Sequence, residues 1–385
     1  MVRRRSLLLA APAVALGGHP VRGQGFPDRP VRLIVPYPAG GGQDITARII
    51  AEPLRAAIGQ PVIVENRSGA SGMVGALAVV QSPPDGLTLM LGGSGETAIN
   101  QHLFRGRISY DPLRDLRPVM VMVKVPVVVM AHPRMPFRSV PELVAHARAH
   151  PGALSYSSSG IGNPQHLSGA LLNHMAGIET VHIPYRGSGP AVVDIAAGQV
   201  QFGYNSLASG LALIREGAIR AIRVTSRERM PQLPEVPAIA EHPPLAAYEL
   251  VNFFGLFLPA AAPDALVERL HGIVAGLLRE PGLRAAYAEQ GLLVQDMGAA
   301  ESRRFVAAES ENSAASSRPP ASRPRVEAVP RARSVAWAQH RHDRADPGHA
   351  PAIGEHRAFG EAQVAAEAET SQRTSSQQPS GAGAR

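Results

Sequence analysis

Val31-Arg-Leu-Ile-Val-Pro-Tyr-Pro-Ala-Gly-Gly-Gly-Gln-Asp44 is the stretch that decides the fold. The β-branched run 31–35 predicts a strand, residues 36–42 a tight loop, and residues 45–58 a helix opened by Asp44 as its N-cap. Three glycines let the backbone reach positive φ and leave N–H groups unshielded by side chains. Such a loop at a helix start attracts anions, because free N–H groups and the helix dipole face the same point. The lysine of a phosphate-binding P-loop and the G-x-G-x-x-G spacing of a dinucleotide turn are both missing. A carboxylate therefore suits the loop better than a nucleotide. Taken alone, the loop serves a glycine turn that binds nothing equally well.

Outward from this stretch, strand-like and helix-like segments alternate. Residues 62–65, 88–91, 154–157, 182–185, 200–204, 219–225 and 253–258 read as strands. Helices are expected at 72–81, 97–103, 140–149 after Ser139, 166–176, 190–197, 208–216, 264–280 and 281–290, and a short last strand at 292–295. Repeated strand–helix units with short connections mean an α/β protein with mostly parallel sheets. The apolar run 119–129, interrupted by Lys124 and Pro126, is expected to cross between two sheets. About 285 residues exceed one core, so two lobes are expected, with a ligand cleft where strand ends meet helix N-termini.

The two ends differ from this body. Arg3-Arg4-Arg5, a short apolar stretch and then small residues have the layout of a secretory signal peptide over 1–25. Cleavage is expected near Phe26 and export by the Sec or twin-arginine route to the periplasm. Without cysteine, the chain can be neither a lipid-anchored lipoprotein nor a disulfide-stapled domain. The net charge of +7 comes largely from the leader and an arginine-rich tail, so the body carries no nucleic-acid footprint. Residues 311–385 are rich in Arg, Pro, Ser, Ala, Gln and His and are expected to be disordered. The spacing of His340, His342, His349 and His356 fits no metal-ligand pattern, and no cofactor or metal motif occurs elsewhere.

The run from Phe26 to Asp44 resembles the opening of mature Bug-type solute receptors, the periplasmic substrate-binding components of tripartite tricarboxylate transporters. The resemblance continues through Gly59-Gln-Pro-Val-Ile-Val-Glu-Asn-Arg67, Pro84-Asp-Gly-Leu-Thr-Leu89, Tyr110-Asp-Pro112, His182-Ile-Pro-Tyr-Arg-Gly-Ser188 and Pro234-Glu-Val-Pro237. It implies a type II periplasmic-binding-protein fold, with two lobes joined by two crossovers. Lobe 1 would comprise 26–124 plus 226–310 and lobe 2 residues 125–225. A monomer receiving a small carboxylate and passing it to membrane transporter subunits is implied. Relatives continue past the Phe305-Val306-Ala307 helix with a Trp-bearing helix. Here the pattern stops at Ser310, as a change of reading frame would leave it.

Carried over by motif, first-lobe contacts would come from Tyr37, Ala39, Gly40, Gly41, Gly42 and Asp44, and from Ser94, Gly95, Glu96 and Thr97. Second-lobe contacts would be Ser158, Ser159, Gly160, Asn163, His166, Tyr185, Arg186, Gly187 and Ser188, with Tyr204 and Asn205 closing the pocket. Asp44 reads first as a structural cap, since a carboxylate repels a carboxylate. Tyr204 stands where many relatives carry an acid, which favours plain carboxylates over amino acids. A receptor serving a membrane sensor uses the same cleft. The enzyme alternative, a serine hydrolase, lacks G-x-S-x-G spacing at Ser94 and any triad marked by spacing, so no catalytic residue is assigned.

Overall fold

The computed structural model describes residues 26–316. The apolar pentad Val31–Val35 forms β1, buried on both sides except at Arg32. There follow α1 (Gly42–Ile58), β2 (Val62–Asn66), α2 (Met73–Val80), β3 (Thr88–Gly93), a π-helical turn (Gly95–Ile99), α3 (Asn100–Leu103) and α4 (Pro112–Asp115). The long β4 (Leu116–Ala131) leads to α5 (Val140–Ala149), β5 (Ser155–Ser158), α6 (Pro164–Ala176), β6 (Val181–Pro184), α7 (Ser188–Ala196), β7 (Phe202–Ser206), α8 (Leu207–Arg215) and β8 (Arg220–Val224). The chain ends its described part with β9 (Val251–Pro259), α9 (Asp264–Arg279), α10 (Pro281–Glu289), β10 (Leu293–Val294) and α11 (Ala299–Ser316).

The strands form one curled sheet, ordered β2-β1-β3-β9-β4-β7-β5-β6, with β8 and β10 also paired to β4. Parallel pairing, as the strand–helix alternation predicts, holds in the two wings: β1 with β2 and β3, and β5 with β6 and β7. The centre is antiparallel, because β4 and β9 are neighbours returning through it. β4 changes partners midway. Pro126 is its last residue opposite β9, at Val251, and Val127 is its first opposite β7, at Ser206. The switch falls at a proline, which has no N–H to give to a ladder. Val127 N–H instead donates to Thr225 Oγ1 (3.0 Å), whose own proton goes to Leu250 O (2.6 Å). One threonine thus ties both passages between the halves of the sheet.

Strand alternation sorts the core into four clusters, one on each face of each half. Val31, Leu33 and Val35 pack with α1, α9 and α10 (Ile50, Val274, Tyr287), whereas Ile34 faces Ala76, Phe253 and Val306. In the other half, Val127 and Val129 join Tyr156, Phe202 and Tyr204, while Val128 and Met130 join Ile195 and Leu207. Residues 226–250, expected with the first lobe, place Met230, Leu233, Val236 and Ala238 in the cluster of Val128. They place Ile239, Leu245 and Tyr248 in that of Val127. Val224 N–H donating to Pro237 O (3.1 Å) fastens this segment beside β8.

Three expectations are corrected. α1 opens at Gly42 with Gly41 at its N-cap, so Asp44 sits in the first turn rather than at the cap. β3 runs into a π turn over Gly95–Ile99 instead of a regular helix starting at Thr97, and Thr97 Oγ1 bonds back to Gly93 O (2.6 Å). α11 continues to Ser316, past the expected end at Ser310; the hydroxyl of Ser310 is bonded to Gln101 and lies 2.8 Å from His102 Nε2. The expected signal peptide and the tail beyond Ser316 lie outside the described residues. No described helix is long and apolar enough to cross a membrane.

Candidate functional site

The quoted loop is fixed from behind by Asp44. Its carboxylate accepts from Gly40 N–H (3.0 Å), Arg48 Nε (2.9 Å) and Asn66 Nδ2 (3.0 Å), and Asn66 Nδ2 also donates to Tyr37 O (2.9 Å). Burial by itself would raise the Asp44 pKa, but Arg48, Gly40 and Asn66 outweigh it and hold the carboxyl below its ordinary value. With the loop pinned this way, Gly41, Gly42 and Gln43 turn the start of α1 toward a cavity.

The second wall is Gly93-Ser94-Gly95-Glu96. Ser94 donates through both N–H (3.2 Å) and Oγ (2.7 Å) to Oδ1 of Asn252 on β9. Glu96 is 1% exposed. Its Oε1 accepts from Gly93 N–H (2.6 Å) and Gln43 Nε2 (2.7 Å), and Oε2 lies 3.4 Å from the Tyr37 hydroxyl. Burial pushes this carboxyl up to about 7 despite those donors. A π turn is a rare way to start a helix and is frequent at functional sites.

The facing wall comes from the other half of the sheet: Ser159, the α6 start at Asn163, Pro164 and Gln165, Ser188 at the start of α7, and Ser206 just before α8. Asn163 caps α6, accepting from His166 N–H (3.0 Å) and donating to Ser159 Oγ (2.7 Å). Gln165 Oε1 is buried with no partner. The two walls touch. A Cβ on Gly42 would lie 2.5 Å from Ser206 Oγ, one on Gly187 2.9 Å from Pro38 Cδ, and one on Gly189 3.0 Å from Ala39 O. The cavity left has about 20 Å³ open to the centre of a water-sized sphere, room for about one water.

Among the described residues, no arginine, lysine or histidine lines this cavity. The lining offers helix-start backbone, hydroxyls and amides together with the buried Glu96 carboxyl. Among the described residues no group of three or more His, Asp or Glu side chains is placed to hold a metal ion.

Of the expected site residues, Tyr37, Gly41, Gly42, Ser94, Gly95, Glu96, Ser159, Asn163 and Ser188 line the cavity together. The others do not. Ala39 and Gly40 meet Gly189 at the rim, Gly187 packs on Pro38, and Gly160 lies beside Ser71. Asp44 is behind its loop, and Thr97 is bonded within the π turn. His166 Nδ1 accepts from Gly162 N–H (3.1 Å), and its ring stacks on His182 at 4.0 Å. Tyr185 donates to Asp194 (2.6 Å), and Arg186 is exposed. Tyr204 belongs to the core, edge-on to Tyr156. Asn205 is buried, its amide without a partner.

Ser158 Oγ is 2.7 Å from His182 Nε2 and 2.9 Å from Gly160 O, two acceptors in reach of its one proton. Burial, followed by the neighbouring His166, pushes His182 down to about 3, too weak for a general base near neutrality.

Gln43, Gly93, Pro164, Gln165, Ser206, Asn252 and Phe254 also line the cavity and were not expected. Gln43 could have been found inside the glycine loop, and Gln165 in the first turn after the Asn163 cap. Asn252 and Phe254 arrive on a strand whose local sequence says nothing of a site.

Fold and cavity together define a two-lobed α/β solute-binding protein. The profile described as "Tripartite tricarboxylate transporter family receptor" matches residues 46–316, and the chain belongs to that family. Its members are receptors, not enzymes. The chain is 38% identical over 293 residues to the UPF0065 protein in the tcbD-tcbE intergenic region of a Pseudomonas species, covering 75% of this chain and 86% of that one. It is 34% identical over 274 residues to Protein BugT of Bordetella pertussis, covering 71% and 83%. Among solved structures, R. palustris Rpa4515 with adipate matches at TM-score 0.72 and 34% identity, over 74% of this chain and 95% of that one. MatC from Rhodopseudomonas palustris with bound malate matches at 0.71 and 28%, over 75% and 99%.

Proposed function

We propose that the chain is an exported receptor that captures a small carboxylate, of the class of adipate or malate, between its two lobes and presents it to the membrane subunits of a transporter. The observation that carries this reading is the convergence of α1, α6, α7 and α8 on one cavity whose lining has no cationic side chain. Four helix starts offer N–H donors and positive dipole ends to one anion. Each hydrogen bond to an ionised carboxylate contributes about 1.5–3 kcal/mol, and three or four support micromolar binding after association costs. The structures with adipate and with malate lend the ligand class.

In this reading lobe 1 ends at β4 near Pro126 and resumes at β9, and residues 127–250 form lobe 2, following the packing of Met230 through Tyr248. The receptor works as a monomer in the periplasm after removal of residues 1–25. Thermal-shift titration of the mature chain with adipate, malate and their diamides tests it. Stabilisation by the acids and not the diamides is expected. No response to any carboxylate, or turnover of one, overturns the reading.

A further inference from the structure

We propose that Gln165 selects the ligand: the acid seated in this cavity carries a hydrogen-bond donor, hydroxyl or ammonium, on the carbon beside its carboxylate. The inference rests on the carboxylate-receptor reading and narrows the ligand class within it.

Two observations on one residue carry it. Gln165 lines the cavity at 5% exposure, and its Oε1 has no partner among the described residues. It also holds the backbone donor left over at its helix start. Pro164 opens α6 without an N–H, Asn163 Oδ1 takes the N–H of His166 (3.0 Å), and Asn163 O takes that of Leu167 (3.1 Å). In that first turn the N–H of Gln165 remains to be given. One residue therefore offers a backbone donor and a side-chain acceptor at the same end of α6.

An ionised carboxylate only accepts, so it can take the N–H but brings nothing to Oε1. A plain diacid such as succinate or adipate would leave that buried oxygen unmet, and an unmet buried acceptor costs affinity. A hydroxyl or ammonium group on the next carbon supplies the missing proton while its carboxylate sits on the N–H. Donors of the same lining are spent elsewhere. Asn163 Nδ2 donates to Ser159 Oγ (2.7 Å), Gln43 Nε2 to Glu96 Oε1 (2.7 Å) and Ser94 Oγ to Asn252 Oδ1 (2.7 Å). The Glu96 carboxyl in the lining gives an ammonium a counter-charge, and a neutral hydroxyl needs none.

Calorimetric titration of the mature chain with two sets of acids tests this: succinate, malate and aspartate, and adipate, 2-hydroxyadipate and 2-aminoadipate. In a set that binds, a donor-bearing acid is expected to bind at least about tenfold tighter than its plain counterpart. A gain by the hydroxy acid assigns the donor as a hydroxyl, and a gain by the amino acid assigns an ammonium. Gln165→Met keeps the backbone N–H and the reach of the side chain but removes the acceptor, so the ratio within the set should fall to near one. A ratio near one in the natural chain, or an undiminished ratio in Gln165→Met, overturns the inference and leaves the receptor reading standing. If no acid of either set binds, the receptor reading fails and the inference falls with it. Should Gln165→Met not fold, Gln165→Leu makes the same comparison, and the ratio in the natural chain can overturn the inference by itself.

Discussion

Asp44 and Asn66 are joined at 3.0 Å, and through that bond the glycine loop after β1 is fastened to the end of β2. The acid that reads as a ligand contact or a cap is instead the anchor of the loop. Asp44→Ala would strand the Gly40 N–H and release Asn66, costing about 2 kcal/mol and weakening carboxylate binding severalfold. Chemical denaturation and titration of the variant check both. Because the folded carboxyl is held below its unfolded value, this stabilisation is present above about pH 4 and is lost as pH falls through the folded value.

Gly42 and Gly41 should part company. A methyl group on Gly42 has no room beside Ser206 and Phe254, whereas on Gly41 its nearest neighbour is Pro38 O at an ordinary 3.6 Å. Gly42→Ala is expected to weaken binding about tenfold or more, roughly 1.4 kcal/mol, by holding the walls apart. Gly41→Ala should stay within about twofold. Equal losses in the two variants would show that contact between the walls does not matter for capture.

Stability should fall as pH rises through the range of Glu96. Its folded pKa, about 7, stands above the unfolded value, so the folded state binds the extra proton between about pH 4.5 and 7. The penalty for ionising it inside grows across that window to about 3 kcal/mol. Denaturation midpoints of the natural chain should decline there, and those of Glu96→Gln should decline less.

The Tyr204 hydroxyl is buried without a partner, edge-on to Tyr156 and close to Phe202. Tyr204→Phe should therefore be neutral or stabilising by about 1 kcal/mol, since an unmet polar group costs that much to bury. Its affinity for adipate should match that of the natural chain. A large loss of affinity would return Tyr204 to the site.

Ser94 leans on Asn252 across 158 positions of sequence. Asn252→Ala would leave the Ser94 N–H unmet and loosen the π turn, with a cost of about 1–3 kcal/mol and a weakened ligand response. Ser94→Ala removes only the hydroxyl bond and should cost less.

How much of this was readable beforehand depends on the range of the interactions. β1, its glycine loop and the body of α1 were legible because strand period, glycine freedom and helix period act within a dozen residues. The place of Asn163 in the lining was legible because a cap is local. Asp44 was misplaced by two positions of helix start, since its partner Asn66 comes from the next strand. Asn252 and Phe254 lay out of reach, because β9 enters only by long-range pairing with β3 and β4. Met230 through Tyr248 show no strand or helix period, and only their burial beside Val127 and Val128 of β4 places them with that half of the sheet.

The smallness of the space between the walls has a kinetic meaning. A chamber with room for one water cannot hold a diacid unless its walls part. Cargo therefore leaves only when the walls swing apart, so its residence time is the waiting time of that swing. A partner that pries the protein open would control delivery without touching the cargo.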